Sequence, residues 1–196
     1  NIGISSFFML SSTMSDEFRK EKNYYAVGGC GGNIAWHTEN DLMEIADKNN
    51  LERDIKVYAA SIIELCNCDV FPFDWRNTVN EFKNTLNNYQ KNCEDHFSIS
   101  LSIEKLKLFE IKLNNFYQNI ENNKIESSKA NNIIMELARI LIPLNFSTHP
   151  RFTHDPAVPI PPLPTLALCD DFKEIPKNLI GFAKNQLVRG QNRFIS

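Results

Sequence analysis

Past residue 48 the chain sets apolar positions three and four apart in successive stretches, the spacing of helices that bury one face. The first stripe is Leu51, Ile55, Tyr58, Ala59, Ile62 and Cys66. It predicts a helix capped by Asn49 or Asn50 and running to about Cys66. The stretch Cys68-Asp69-Val70-Phe71-Pro72-Phe73-Asp74 breaks it, because Pro72 restricts Phe71 to extended geometry. That stretch reads as a linker with aromatic anchors. Three more helices follow. Val79, Phe82, Leu86, Tyr89 and Cys93 form one stripe, and Ile103, Leu106, Phe109, Leu113, Phe116, Tyr117 and Ile120 form the next. Ser102 is the expected N-cap of that second helix, with Glu104 in its first turn. Ala130, Ile134, Leu137, Ala138 and Leu141 make the third, stopped by Pro143. Facing stripes of this width predict a helical bundle whose aromatics are core.

The flanks read differently. Ile4 to Leu10 has the composition of a short central strand, and one strand makes no sheet, so its neighbours are expected upstream. Ser11 to Tyr25 is polar, with a helical turn expected around Ser15-Asp16-Glu17-Phe18. Gly28-Gly29-Cys30-Gly31-Gly32 then hands the chain to Trp36-His37-Thr38-Glu39-Asn40-Asp41. Glycines allow positive φ and close approach to another surface, and a His displayed on such a loop suits metal ligation or proton transfer. A flexible turn with an incidental His fits the loop as well.

Beyond the third bundle stripe, Asn145 to Cys169 is an irregular arm. It carries His149-Pro150-Arg151-Phe152-Thr153-His154-Asp155-Pro156 and then Pro159, Pro161, Pro162 and Pro164. Such proline density favours extended geometry. The arm either wraps its own domain or offers a Pro-x-x-Pro ligand, for which no basic residue stands close by. A last helix is expected from Pro176 as its first residue, with Leu179, Phe182, Ala183 and Leu187 on its apolar face.

Composition narrows the chemistry. The chain has 196 residues, 42% hydrophobic, with a net charge of −3 and its Lys and Arg scattered, so nucleic acid is not an expected partner. No apolar run reaches membrane-spanning length. The start has neither Met nor a basic n-region, so its apolar run is not expected to be a signal peptide, and the end carries no stop signal, so the chain reads as a piece of a longer protein. The five cysteines, Cys30, Cys66, Cys68, Cys93 and Cys169, include no C-x-x-C pair. Reduced, mostly buried thiols are expected, which leans towards a reducing compartment and leaves the localisation open. The histidines are His37, His96, His149 and His154, and no His-x-x-x-His or His-Glu-x-x-His pairing occurs. Nor is there a Gly-x-Ser-x-Gly elbow or a phosphate loop. The residues alone therefore offer one loop His and one His-bearing arm.

The order of these segments carries more than their spacing. The Asn-x-Gly-Ile strand, the glycine loop, Trp36-His37-Thr38-x-x-Asp41, a long helix and Val70-Phe71-Pro72-Phe73-Asp74 together resemble the C-terminal part of the zinc-dependent aminopeptidase and glutamate carboxypeptidase family. The likeness is to the branch that includes glutamate carboxypeptidase II and the transferrin receptor. It covers essentially the whole chain, and Trp36 to Asp41 and Val70 to Asp74 are its specific parts. Phe97-Ser98-Ile99-Ser100-Leu101-Ser102 also resembles the start of a helix in that branch's dimerisation domain.

The resemblance implies a mainly α chain: residues 1–69 would be the last strand, ligand loop and helix of an α/β zinc-peptidase domain, and residues 70–196 a helical dimerisation-like domain with its Pro-rich arm. It implies a zinc exopeptidase acting on small peptides through metal-activated water. Two zinc ions would serve the full-length protein, and His37 matches the last protein ligand. Trp36 would form part of the pocket wall, while Thr38 and Asp41 would order the loop or hold the second imidazole nitrogen. Asp41 could equally cap a helix. The remaining ligands and the general-base Glu are expected upstream of Asn1, so no catalytic residue is assigned within the chain, and the chain alone should be inactive. Arg151 or His154 could meet a substrate carboxylate, although the arm is richer in proline than the family's segment. A homodimer is the implied assembly. The transferrin receptor shows the alternative, a non-catalytic binding and dimerisation scaffold; a helical interaction module is a third reading, compatible with the first.

Overall fold

The computed structural model describes residues 15–23, 38–93, 96–149, 152–153 and 160–196. The expected strand at 4–10, the glycine loop with Cys30, and Trp36, His37, Arg151 and His154 lie outside them. The chain divides into two compact units, with the boundary between Cys68 and Asp69. Among the described residues the regular structure is helical throughout.

The first unit contains α1 (Asp16–Glu21) and α2 (Lys48–Asn67). Ser15 caps α1, its hydroxyl accepting from the Phe18 N–H at 3.2 Å. Asp47 caps α2 by accepting from the Asn50 N–H at 2.8 Å, so the cap lies two residues before the expected Asn49. A carboxylate there meets the free N–H groups and the positive end of the helix dipole together. The expected stripe is present on α2, yet the helix has no buried residue.

The second unit is a helical bundle of α3 (Trp75–Cys93), α4 (Ser100–Glu121), α5 (Ser127–Phe146) and α6 (Ile180–Ile195). α3 is the central element, packing on α4, on α5 and on the 3-10 turn Ala167–Cys169. Its buried residues are the five of the predicted stripe, Val79, Phe82, Leu86, Tyr89 and Cys93. Burying each large apolar side chain contributes roughly 1.5–3 kcal/mol.

The ends of the other helices depart from expectation. α4 starts at Ser100, two residues before the expected cap, and Ser102 is fully buried with its hydroxyl unpartnered. The Gln90 side chain of α3 satisfies the connection instead: its Oε1 accepts from the Ile99 N–H at 2.7 Å. Glu104 accordingly falls beyond the first turn. At the other end, Asn123 takes φ 53 and Lys124 N–H returns to the Asn119 carbonyl at 2.8 Å, a left-handed closure that Asn tolerates. α5 runs through Pro143 to Phe146 rather than stopping there. Proline has a helical φ and removes only one N–H, so a single final turn survives it.

Ahead of α6, Pro176 sits at ψ 140, outside the helix, and a 3-10 turn Lys177–Leu179 intervenes. The buried face of α6 is Ala183, Leu187, Gly190 and Gln191, whereas Leu179 and Phe182 are exposed. The described second half of the Pro-rich arm enters the core: Leu163, Leu166 and Cys169 are buried. Leu163 adopts φ 47, and its N–H donates to the Asn145 side chain of α5 at 3.2 Å. Gly190 makes this possible, since a Cβ there would stand 2.2 Å from the Thr165 carbonyl oxygen.

Candidate functional site

Of the residues singled out by sequence, Thr38 and Asp41 are described. The chain after His37 folds into a tight turn: Asn40 N–H donates to Thr38 Oγ1 at 3.2 Å and Asp41 N–H to the Thr38 carbonyl at 3.2 Å. Leu42 N–H then bonds to the Asn40 carbonyl at 2.9 Å, and a 3-10 turn Met43–Ile45 leads towards α2. Threonine at the head of such a turn competes well for backbone N–H groups. Asp41 is exposed within the turn, and Asp47 rather than Asp41 caps the helix that follows. Among the described residues, no group of three or more His, Cys, Asp or Glu is placed to hold a metal ion.

Two further histidines are described. His96 stacks on Phe172 with ring centroids 5.1 Å apart. His149 ends the described part of α5's exit, where the Ser147 hydroxyl donates to its carbonyl at 2.9 Å and its Nδ1 lies 2.7 Å from Thr148 Oγ1. Among the described residues, neither belongs to a group of three or more metal-ligating side chains.

The linker ahead of α3 is fastened more tightly than an extended stretch requires. Asn131 on α5 pairs with its backbone twice, accepting from the Phe71 N–H at 2.8 Å and donating to the Asp69 carbonyl at 2.9 Å. Tyr117 on α4 donates to the Phe73 carbonyl at 2.7 Å and accepts from the Trp75 N–H at 3.0 Å. Trp75 in turn donates its indole N–H to the Ile134 carbonyl of α5 at 3.0 Å. Phe73 stacks on Trp75, and Phe71 meets Phe73 edge-on.

Charge closes the clamp. Asp74 accepts from the Arg76 backbone N–H at 3.0 Å and from its guanidinium at 2.7 Å, while that guanidinium lies 4.7 Å from the Tyr117 ring centre. The Arg76 hydrogen bonds hold the Asp74 carboxyl below its ordinary value, and Asp74 raises the Arg76 guanidinium in return. Burial pushes the Tyr117 phenol up. The side chains of Asn131, Tyr117, Trp75, Asp74 and Arg76 are thus all engaged with the linker or its neighbours, fastening it to α4 and α5. Sequence reading found the aromatic anchors and placed Tyr117 on the core stripe of α4, but missed Asn131 and the hydrogen bonds of the Tyr117 hydroxyl, whose partners lie about sixty and forty residues away.

A cavity of about 130 Å³ opens among the four bundle helices, walled by Phe82, Phe109, Leu141 and Phe194, with Lys105 at its lining as well. It offers apolar surface and one cation, which suits binding of an apolar group and supplies no acid–base pair. No helix among the described residues is long and apolar enough to cross a membrane. No family model, curated protein or solved structure matches the chain.

Proposed function

We propose that this chain is the C-terminal part of a zinc-dependent exopeptidase, contributing the last zinc ligand, His37, and a helical domain that mediates dimerisation. The observation that carries the reading is the order of segments: Trp36-His37-Thr38-x-x-Asp41, a long helix, the Val70-to-Asp74 linker and a helical bundle. The tight turn directly after His37 supports it, because a ligand imidazole needs a backbone that holds its direction. Thr38 and Asp41 order that turn, Trp36 walls the pocket, and Arg151 or His154 meets a substrate carboxylate. A neutral imidazole suits zinc as a donor, and the family resemblance implies that the rest of the shell and the general base lie upstream of Asn1. His37 would hold one of two zinc ions, and that pair would supply Lewis-acid activation of water and of the scissile carbonyl.

The dimer reading is supported by exposed apolar side chains on the bundle, Leu101, Leu108 and Ile111 on α4 and Ile140 on α5. In the protein extended upstream of Asn1, His37→Ala should abolish hydrolysis of small peptides while the helical circular dichroism persists. Near-normal turnover in that variant sinks the ligand assignment. A protein inactive before and after the substitution points instead to a scaffold like the transferrin receptor. A strictly monomeric sedimentation profile of the extended protein counts against the dimer.

A further inference from the structure

Cys93 and Cys169 are 76 positions apart in the chain, and the fold brings them together. Cys93 closes α3, and Cys169 ends the 3-10 turn Ala167–Cys169 packed against that helix. Both are 0% exposed and belong to the same apolar core. Cys93 Sγ also reaches the Phe97 carbonyl at 3.4 Å, and residues 92 and 170, one position from each cysteine, are joined directly. The neighbouring positions hold the same two strands of chain in register. Asn92 Nδ2 donates to Asp170 Oδ1 at 2.8 Å, and Tyr89 donates its hydroxyl to the Pro162 carbonyl at 2.6 Å.

From this juxtaposition we infer that Cys93 and Cys169 are a latent redox pair, which closes into a disulfide joining α3 to the Pro-rich arm when the protein meets a low-molecular-weight disulfide. This rests on the bundle alone and is independent of the peptidase reading. The oxidant is the small disulfide. One protein thiolate attacks it, forming a mixed disulfide and releasing one small thiolate. The second protein thiolate then attacks the protein sulfur of that mixed disulfide, forming the Cys93–Cys169 bond and expelling the second small thiolate. Two protein S–H bonds are lost, and their protons end on the two released thiols.

Burial sets the rate. A mixed disulfide has no room in the closed core, so the first attack waits for the arm to open at its single 3-10 turn. That turn is held by short-range bonds such as Cys169 N–H to the Leu166 carbonyl at 3.0 Å. Burial also pushes both thiols up, which keeps them inert while the turn is closed. Cys66 is exposed and Cys68 half-buried, so they should react first with an alkylating probe.

The test incubates the reduced full chain with oxidised glutathione and maps its unreduced digest by mass spectrometry. The expected result is a cross-linked peptide pairing Cys93 with Cys169 and a thermal midpoint higher by on the order of 10 °C, reversed by dithiothreitol. Cys93→Ala should remove that rise. Because that variant leaves a cavity, the map of the unaltered chain is the deciding measurement. A stable glutathione adduct on either residue, a bond to a different cysteine, or a bond that lowers the midpoint overturns the inference. So do two thiols that stay free in denaturant just below the unfolding transition, where the arm has opened.

Discussion

α2 and α3 look alike as sequences and differ as structures. Each is about twenty residues long with apolar positions at three- and four-residue spacing. On α3 the stripe is the core: Phe82 is 1% and Leu86 0% exposed. On α2 the corresponding Leu51, Ile55 and Ile62 are 57–58% exposed, and no residue is buried. Periodicity therefore specifies a face, and a partner surface turns the face into a core. α3 has α4, α5 and the arm around it. Local signals are no weaker on α2, which is capped by Asp47 as α3 is by Asp74 and carries an i,i+4 ion pair, Lys56 to Glu52 at 2.7 Å. Such exposed features add only a few tenths of a kcal/mol to about one each.

The sharpest test of this contrast is truncation on both helices. Phe82→Ala should lower stability by about 3–5 kcal/mol in chemical denaturation followed by circular dichroism, whereas Ile55→Ala should stay within about 0.5 kcal/mol. Equal losses would break the comparison and show that α2 is covered too.

A second pair contrasts the two glycines of α6. Gly190→Ala should destabilise by roughly 1–3 kcal/mol, because the new Cβ meets the Thr165 carbonyl. Gly181→Ala meets nothing within 4 Å and should stabilise by about 0.5–1 kcal/mol from helix propensity alone. A gain in melting temperature for both would mean that the arm does not lie against α6 in solution.

The linker clamp is the smallest of the three effects and the most local. Tyr117→Phe should cost about 1–2 kcal/mol, since it strips the partner from the Phe73 carbonyl and the Trp75 N–H. Asp74 adds a pH dependence. Its folded-state pKa is depressed, so its contribution is fully present above the ordinary value of 3.8 and is lost as pH falls through the lowered value. Asp74 and Arg76 side chains are 38% and 37% exposed, so solvent screening keeps that contribution small. Asp74→Asn should flatten the acid limb of the stability profile, and an unchanged limb assigns acid sensitivity elsewhere.

How much was legible beforehand follows the range of the interactions. The α3 stripe could be read residue by residue, because a 3.6-residue period places those side chains on one face whatever the partner is. Helix ends were read less well. Ser102 has the chemistry of a cap and is buried within the first turn of α4, while Gln90, on the preceding helix, serves the Ile99 N–H. Pro143 looked like a stop and is tolerated because only one turn follows it. Of the proposed site only His37 could be named from sequence, by the order of motifs around it, since a metal shell would gather ligands from distant positions and one imidazole carries no spacing of its own.

The sequence by itself determined the helical periods, the break at Pro72 and the aromatic anchors of the linker, all set by the spacing and conformational limits of neighbouring residues. Tertiary structure alone decided which stripes became core, and that Leu163 and Leu166 of the Pro-rich arm are buried. It also decided that Gly190 must be glycine and that Cys93 lies beside Cys169. Those outcomes depend on surfaces brought together across tens of residues, where the free energy comes from burial and close packing, and neither has a local signature.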